Sequence, residues 1–487
     1  MTKYHEGSVV NRITVITNIL WRYAERFSCQ VIALVVTIIL ARILAPADFG
    51  LIALVTVIIG VLNVLIDSGL SSALIQKKNA DETDFSTVFY FNIVVCAVLY
   101  IAIFLVAPFI ADYYGNAELT LVIRVLCLML LVTGLRSIQE AFIARNLLFK
   151  KYFLSTLSGT IVSAIVGIGL AVGGYGVWAI VTQQLTSAVL STAVLWVTVK
   201  WRPSKLFSFS RLKSLLGYGW KLLAATLVSS IFDNLRQSII GKQYTLDDLG
   251  FYSKGEQFPN AIIVNINASI NSVSFPTFSS IQDDLEKLEK VTRRAIKLTA
   301  FVVAPVAIGL AACAPQLVSV LLTEKWMPCV PYLRVFCFAY LVFPLSIINQ
   351  NVIKARGYSG LFLILEITKK GIGFALILVT ASFGVWTMCL SYLVYSILAY
   401  VIDALPNRRF VHYGFLEQCR DIFPCLALAL IMGVCVLAIS LLGLSDLVTL
   451  CLQIIVGVSV YVAESAVLRI DSFEYLKDTL REMLRSK

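Results

Sequence analysis

Apolar runs of about twenty residues recur along the whole chain, separated by short polar breaks. A bilayer core takes roughly 20 mostly apolar residues per helical span. The pattern therefore predicts fourteen spans, at 14–44, 50–73, 87–112, 118–144, 153–173, 176–199, 215–240, 251–275, 295–322, 329–354, 360–382, 385–403, 421–442 and 446–468. The expected fold class is an all-α polytopic membrane protein. The first run is long, charged at its start and without a small-residue cleavage site, so it is expected to remain as a span and not to be removed as a signal peptide.

Composition agrees with that pattern. Of the 487 residues 59% are hydrophobic and only 14% charged, outside the range of a soluble globular domain. Positive loops stay on the cytoplasmic side, and most lysines and arginines fall in alternate loops, with Lys242 and Lys325 the exceptions. Both termini are therefore expected in the cytoplasm, and the net charge of +11 is a topology signal, not a sign of nucleic-acid binding. The eleven cysteines are scattered without a C-x-x-C pair, and the only histidines are His5 and His412, both outside the spans. No metal, disulfide or histidine-based catalysis is expected.

The chain also repeats itself. Arg42–Gly50 (RILAPADFG) aligns with Lys242–Gly250 (KQYTLDDLG), Ile123–Leu128 (IRVLCL) with Leu333–Phe338 (LRVFCF), and Gly174–Ala179 (GYGVWA) with Ser382–Thr387 (SFGVWT). Ala107-Pro108 matches Ala314-Pro315, and Trp21-Arg22 matches Trp220-Lys221, all roughly 200 residues apart and in the same order. Two six-helix copies are expected, residues 1–199 and 215–403, joined by a cytoplasmic linker at 200–214 and followed by helices 13 and 14 with a basic tail at 404–487. Six is even, so both copies enter the membrane in one direction and are related by an axis along its normal, as in parallel-repeat transporters. Such halves leave a cleft at mid-membrane, while the short external loops leave no room for an outside catalytic domain. No enzyme is expected.

Charges inside the spans carry the remaining information. Arg22, Glu25 and Arg26 share one face of helix 1, and Asp67 in helix 2 lies at a similar depth. Helix 7 carries Asp233 and Arg236, with Lys221 nearer its start, helix 4 carries Arg136 and Glu140, and helix 11 carries Glu366, Lys369 and Lys370 in LEITKKG. A charge facing lipid at a helix centre costs at least about 2.5 kcal/mol, so these side chains must face protein or a wet cavity. Interhelical pairing is one reading, weighed evenly for Arg136 and Glu140. For Arg22, Arg26, Lys221, Arg236, Lys369 and Lys370 the cations outnumber the acids, and a surplus of positive charge calls for an anionic ligand. Glu25, Asp67, Asp233 and Glu366 are the candidates for charge balance or ion coupling. Asn260, Asn267 and Asn271 fall near one face of helix 8, where they suit sugar hydroxyls or interhelical amide contacts equally well.

Phe49–Asn92 (FGLIALVTVIIGVLNVLIDSGLSSALIQKKNADETDFSTVFYFN) and Leu249–Asp284 (LGFYSKGEQFPNAIIVNINASINSVSFPTFSSIQDD) resemble the polysaccharide-transporter, Wzx-like flippase branch of the multidrug/oligosaccharidyl-lipid/polysaccharide exporter superfamily. The resemblance implies a V-shaped pair of six-helix bundles in the bacterial inner membrane. Their cationic cavity would pass an undecaprenyl-diphosphate-linked oligosaccharide across the bilayer by alternating access. It further implies coupling to H+ or Na+ with no other cofactor, and as partners the lipid-linked oligosaccharide, membrane lipids, and a polysaccharide polymerase with its chain-length machinery. A multidrug exporter of the superfamily would instead show an acidic cavity, and a peptidoglycan-precursor flippase would be essential for growth.

In this scheme Arg22, Arg26 and Lys221 hold the diphosphate first, and Arg236, Lys369 and Lys370 receive it. Arg26→Ala and Lys370→Ala should each abolish polysaccharide export with membrane insertion intact. Surface polysaccharide and the membrane-fraction level of each variant check this together.

Overall fold

The computed structural model describes residues 12–67, Leu70, Leu74, 81–146 and 148–485. By packing, the chain divides into two compact units, 1–249 and 250–487. The first contains α1 (Arg12–Ile43), α2 (Pro46–Asp67), α3 (Glu82–Tyr114), the short α4 (Glu118–Leu126), α5 (Leu128–Asn146), α6 (Phe149–Val172), α7 (Val177–Thr198) and α8 (Phe209–Gln243). α9 (Leu246–Ser280) begins at the end of the first unit and runs into the second. The second unit continues with α10 (Leu285–Ala312), α11 (Ala314–Leu322), α12 (Val330–Ala355), α13 (Ser359–Thr380), α14 (Val385–Ala404), the single turn α15 (Asn407–Val411), α16 (Phe415–Ile439), α17 (Asp446–Val467) and α18 (Asp471–Arg485). α8 packs on α2 and α3, so it lies with the first unit. The sequence repeat assigned the same segment to the second copy.

The protein is a multi-pass helical membrane protein. Its outer surface is apolar: Phe109, Val197, Phe423 and Val467 are all largely exposed, as side chains that face lipid must be. Among the described residues eleven helices are long and apolar enough to cross a membrane, against the fourteen spans expected. The expected spans without a counterpart are 215–240, 251–275 and 360–382. Each lies in a continuous helix, α8, α9 or α13, that is too polar to count on hydropathy alone. These three helices carry Asp233, Arg236, Asn260, Asn267, Asn271, Glu366, Lys369 and Lys370. Polar content excludes them from the class, and the same polar content makes them the helices to inspect.

The internal repeat reappears as matched local geometry. Asp48 Oδ2 accepts from the Ala45 N–H at 3.0 Å, and Asp248 Oδ2 from the Thr245 N–H at 3.2 Å, so each acid closes the turn into the next helix. Arg124 Nε donates to the Phe104 carbonyl and Arg334 Nε to the Ala311 carbonyl, both at 3.2 Å. Gly176 and Gly384 each have positive φ just before the matching Val-Trp helices α7 and α14, a conformation open to residues without a Cβ. Asp81 and Asp84 cap the start of α3 reciprocally, and Asp284 accepts from the Lys287 N–H at the start of α10.

α9 carries two internal prolines, Pro259 and Pro276, each of which removes an i to i−4 hydrogen bond. Close packing elsewhere depends on small residues. A Cβ on Gly159 in α6 would sit 2.9 Å from the Ser187 carbonyl oxygen and 3.0 Å from the Ser191 Cβ in α7, whereas one on Gly169 in the same helix would meet nothing within 4 Å. Gly159→Val should therefore destabilise the protein by about 1–3 kcal/mol, and Gly169→Ala should leave it unchanged. Thermal unfolding of the two detergent-purified variants against the parent tests the contrast.

Candidate functional site

Each unit holds a cluster of charged side chains within otherwise apolar helices. In the first, α1, α5 and α6 converge. Arg22 Nη1 donates to Glu25 Oε2 at 3.2 Å, one turn along α1, and Glu25 is buried while Arg22 is half exposed. Arg136 on α5 donates through Nε to Glu140 Oε1 at 2.5 Å, through Nη1 to Ser191 Oγ on α7 at 2.9 Å, and through Nη2 to the Tyr152 hydroxyl on α6 at 3.1 Å. The Tyr152 hydroxyl in turn donates to Glu140 Oε1 at 3.1 Å. The Arg22 guanidinium lies 4.9 Å from the Tyr152 ring centre and that of Arg136 lies 5.6 Å from it, so two cations share one ring. Arg26, exposed on the next turn of α1, lies with Arg22 and Arg136 in the electrostatic field of Glu25. Three arginines thus face two glutamates.

In the second unit α12, α13 and α14 converge. The buried Lys369 ammonium lies 2.5 Å from Glu366 Oε1 on its own helix and 2.9 Å from Asp403 Oδ1 on α14. Asp403 is almost wholly inaccessible and also accepts from Gln350 Nε2 on α12 at 3.0 Å. Lys354 on α12 stacks its ammonium 4.2 Å from the Phe362 ring centre and feels both carboxylates, and the half-buried Lys370 adjoins. Lys354 and Lys369 thus share the field of two acids here. Glu366 bonds Lys369, three residues on, and a second acid from a neighbouring helix, Asp403, joins it. Lys369 is therefore flanked by two carboxylates, with the Lys354 ammonium in their field.

The remaining candidates are dispersed. Arg236 is buried in α8, one turn from the exposed Asp233, which accepts from Ser229 Oγ at 3.4 Å. Asp67 and Lys221 fall on described helices, but their side chains lie outside the described residues. Asn271 accepts from Asn351 Nδ2 at 2.7 Å, an interhelical amide contact; Asn267 is buried, and Asn260 is half buried. A further amide lock, Asn349 with Gln418 and Asn407, joins α12, α16 and α15 in the interior.

Tyr152, Ser191, Gln350 and Asp403 were not singled out from sequence. Each is isolated in its own helix, and no spacing rule links residues on different helices. Lys254 is a similar case: it is buried within a quoted motif and donates to Gln257 Oε1 at 2.9 Å.

A family model described as "Polysaccharide biosynthesis protein" matches residues 39–331. The succinoglycan biosynthesis transport protein ExoT of Rhizobium meliloti (strain 1021) is 24% identical over 65% of this chain and 64% of its own length. The teichuronic acid biosynthesis protein TuaB of Bacillus subtilis (strain 168) is 27% identical over 61% of this chain and 62% of its own. The chain therefore spans a little under two thirds of the length of these curated relatives. Among solved structures, the lipid II flippase MurJ in an inward closed conformation superposes with a TM-score of 0.75 at 14% identity, over 93% of this chain and 99% of that one, a likeness of fold.

Lys369→Met should leave Asp403 buried without its cation and cost about 3 kcal/mol or more. The double variant Lys369→Met with Asp403→Leu should recover most of that loss. A double-mutant cycle by denaturant unfolding measures the coupling.

Proposed function

The chain belongs to the polysaccharide biosynthesis protein family, and from that premise we propose that it moves an undecaprenyl-diphosphate-linked oligosaccharide across the bacterial inner membrane by alternating access. The product would serve assembly of an O-antigen, capsule or exopolysaccharide. The observation that carries the proposal is the cationic cluster of the first unit, Arg22, Arg26 and Arg136 against Glu25 and Glu140, with Lys354 and Lys369 beside Glu366 and Asp403 in the second. Arginines that outnumber the acids beside them suit an anionic guest, and guanidinium forks and ammonium groups are established diphosphate ligands.

Chemistry separates the two clusters. Arginine keeps its charge in any surroundings, while lysine holds it through its carboxylate neighbours. The first cluster would take the headgroup as the pyrophosphate bridge arrives, and the second would receive it later, with the sugars in the wet interior and the polyprenyl chain left in lipid. Glu25, Asp67, Asp233 and Glu366 would balance charge when the headgroup is absent, and a proton or sodium ion at one of them would bias the return. Both termini would lie in the cytoplasm, and the polymerase with its chain-length machinery would use the delivered unit. A cationic interior disfavours the drug-exporter alternative, whose substrates are themselves cations. The names of the relatives favour surface polysaccharide over the peptidoglycan precursor.

Deletion of the gene should strand the lipid-linked repeat unit on the cytoplasmic face and remove the surface polysaccharide without stopping growth. Leaflet-resolved analysis of the lipid-linked intermediates reads this out. An unchanged distribution overturns the proposal, and loss of viability shifts it to the peptidoglycan precursor.

A further inference from the structure

We propose that Tyr152 and Arg136 build, with Arg22, a two-pronged clamp whose paired guanidinium groups select a diphosphate over a monophosphate. This rests on the phosphate-lipid reading above and deepens it by naming the residues that set headgroup specificity.

The argument begins with the tyrosine. Its ring is shared by two guanidinium groups, Arg22 at 4.9 Å and Arg136 at 5.6 Å from the ring centre. The guanidinium carbons are therefore no farther apart than those two distances laid end to end. Two phosphoryl groups joined by one oxygen, each gripped by its own fork, have a comparable span. Two positive groups drawn this close repel each other. The electron-rich ring face and the two glutamates offset that repulsion, so the pair is held ready while the site is empty.

Hydrogen bonding decides what each prong still has to give. Arg136 commits Nε to Glu140, one N–H of Nη1 to Ser191 and one N–H of Nη2 to Tyr152. One N–H remains on each terminal nitrogen, and two such donors are enough to bind a phosphoryl group through two oxygens. Arg22 donates through Nη1 to Glu25, also contacts Tyr152 and is half exposed, so it is the more mobile prong. Arg136 is the fixed one, anchored on three helices through Glu140 on α5, Tyr152 on α6 and Ser191 on α7. Tyr152 acts as a positioning residue in two ways. Its hydroxyl bridges Arg136 and Glu140, and its ring sets where Arg22 lies. A monophosphate can engage one prong only, so the preference for a diphosphate depends on keeping both in place.

The test uses the full chain in lipid nanodiscs, with farnesyl diphosphate and farnesyl monophosphate as probes and farnesol as the uncharged control. Affinities are measured at a pH where both headgroups are fully ionised. The parent protein should bind the diphosphate at least about tenfold more tightly than the monophosphate. Tyr152→Leu should erase most of that ratio through loss of diphosphate affinity, with monophosphate affinity held within about threefold. Tyr152→Phe, which keeps the ring, should retain the larger part. Arg136→Lys keeps the charge and removes the fork, so it should behave like Tyr152→Leu, and it carries the test if the leucine variant does not fold. A ratio unchanged in both Tyr152→Leu and Arg136→Lys overturns the clamp, as does an equal fall for both probes. If the parent binds neither phosphate better than farnesol, the phosphate-lipid reading falls and the clamp with it.

Discussion

A bilayer offers charged groups no water, and that constraint organises this molecule. Every ionised side chain within the helices must find an opposite charge, a hydrogen-bond donor or acceptor, or a wet surface. The observed answers are compact. Lys369 lies between Glu366 and Asp403, with Gln350 bracing the second acid. Arg136 is held by a carboxylate, a serine hydroxyl and a tyrosine. The helices that supply these groups cannot be uniformly apolar, and α13 carries Glu366, Lys369 and Lys370 within a span that is otherwise apolar.

The two clusters solve the same electrostatic problem with different materials. The first is built from arginine, tyrosine and glutamate around an aromatic ring. The second is built from lysines and acids around a buried ammonium. The repeat that relates the halves is preserved in the turns, where Asp48 and Asp248, Arg124 and Arg334, and Gly176 and Gly384 repeat one another's contacts or backbone conformation. It is not preserved in the clusters: the stretch of α6 that matches the charged part of α13 carries no charge. Turns recur between the matched segments, and the charged clusters do not.

What was legible beforehand follows from range. Runs of twenty apolar residues and the alternation of basic loops are properties of contiguous sequence, so the helical membrane fold could be read directly. Pairs one turn apart could be read as well: Arg22 with Glu25 and Arg136 with Glu140 are set by helix geometry alone. Partners from other helices were out of reach. Asp403 is one acid near the end of an apolar span, and Tyr152 is one of 20 tyrosines. Nothing local marks either until α14 lies against α13 and α6 against α5. Three of the fourteen expected spans fall in helices whose polar and charged residues keep them out of the eleven apolar ones.

The prolines of α9 have a mechanical consequence. A regular helix resists bending because each rung must stretch or break, yet here the rungs at Pro259 and Pro276 are already missing. Flexure at those two points sacrifices no hydrogen bond, so compliance is written into the covalent chain and needs no local melting. Restoring both rungs with alanine would stiffen the rod without altering a single charge.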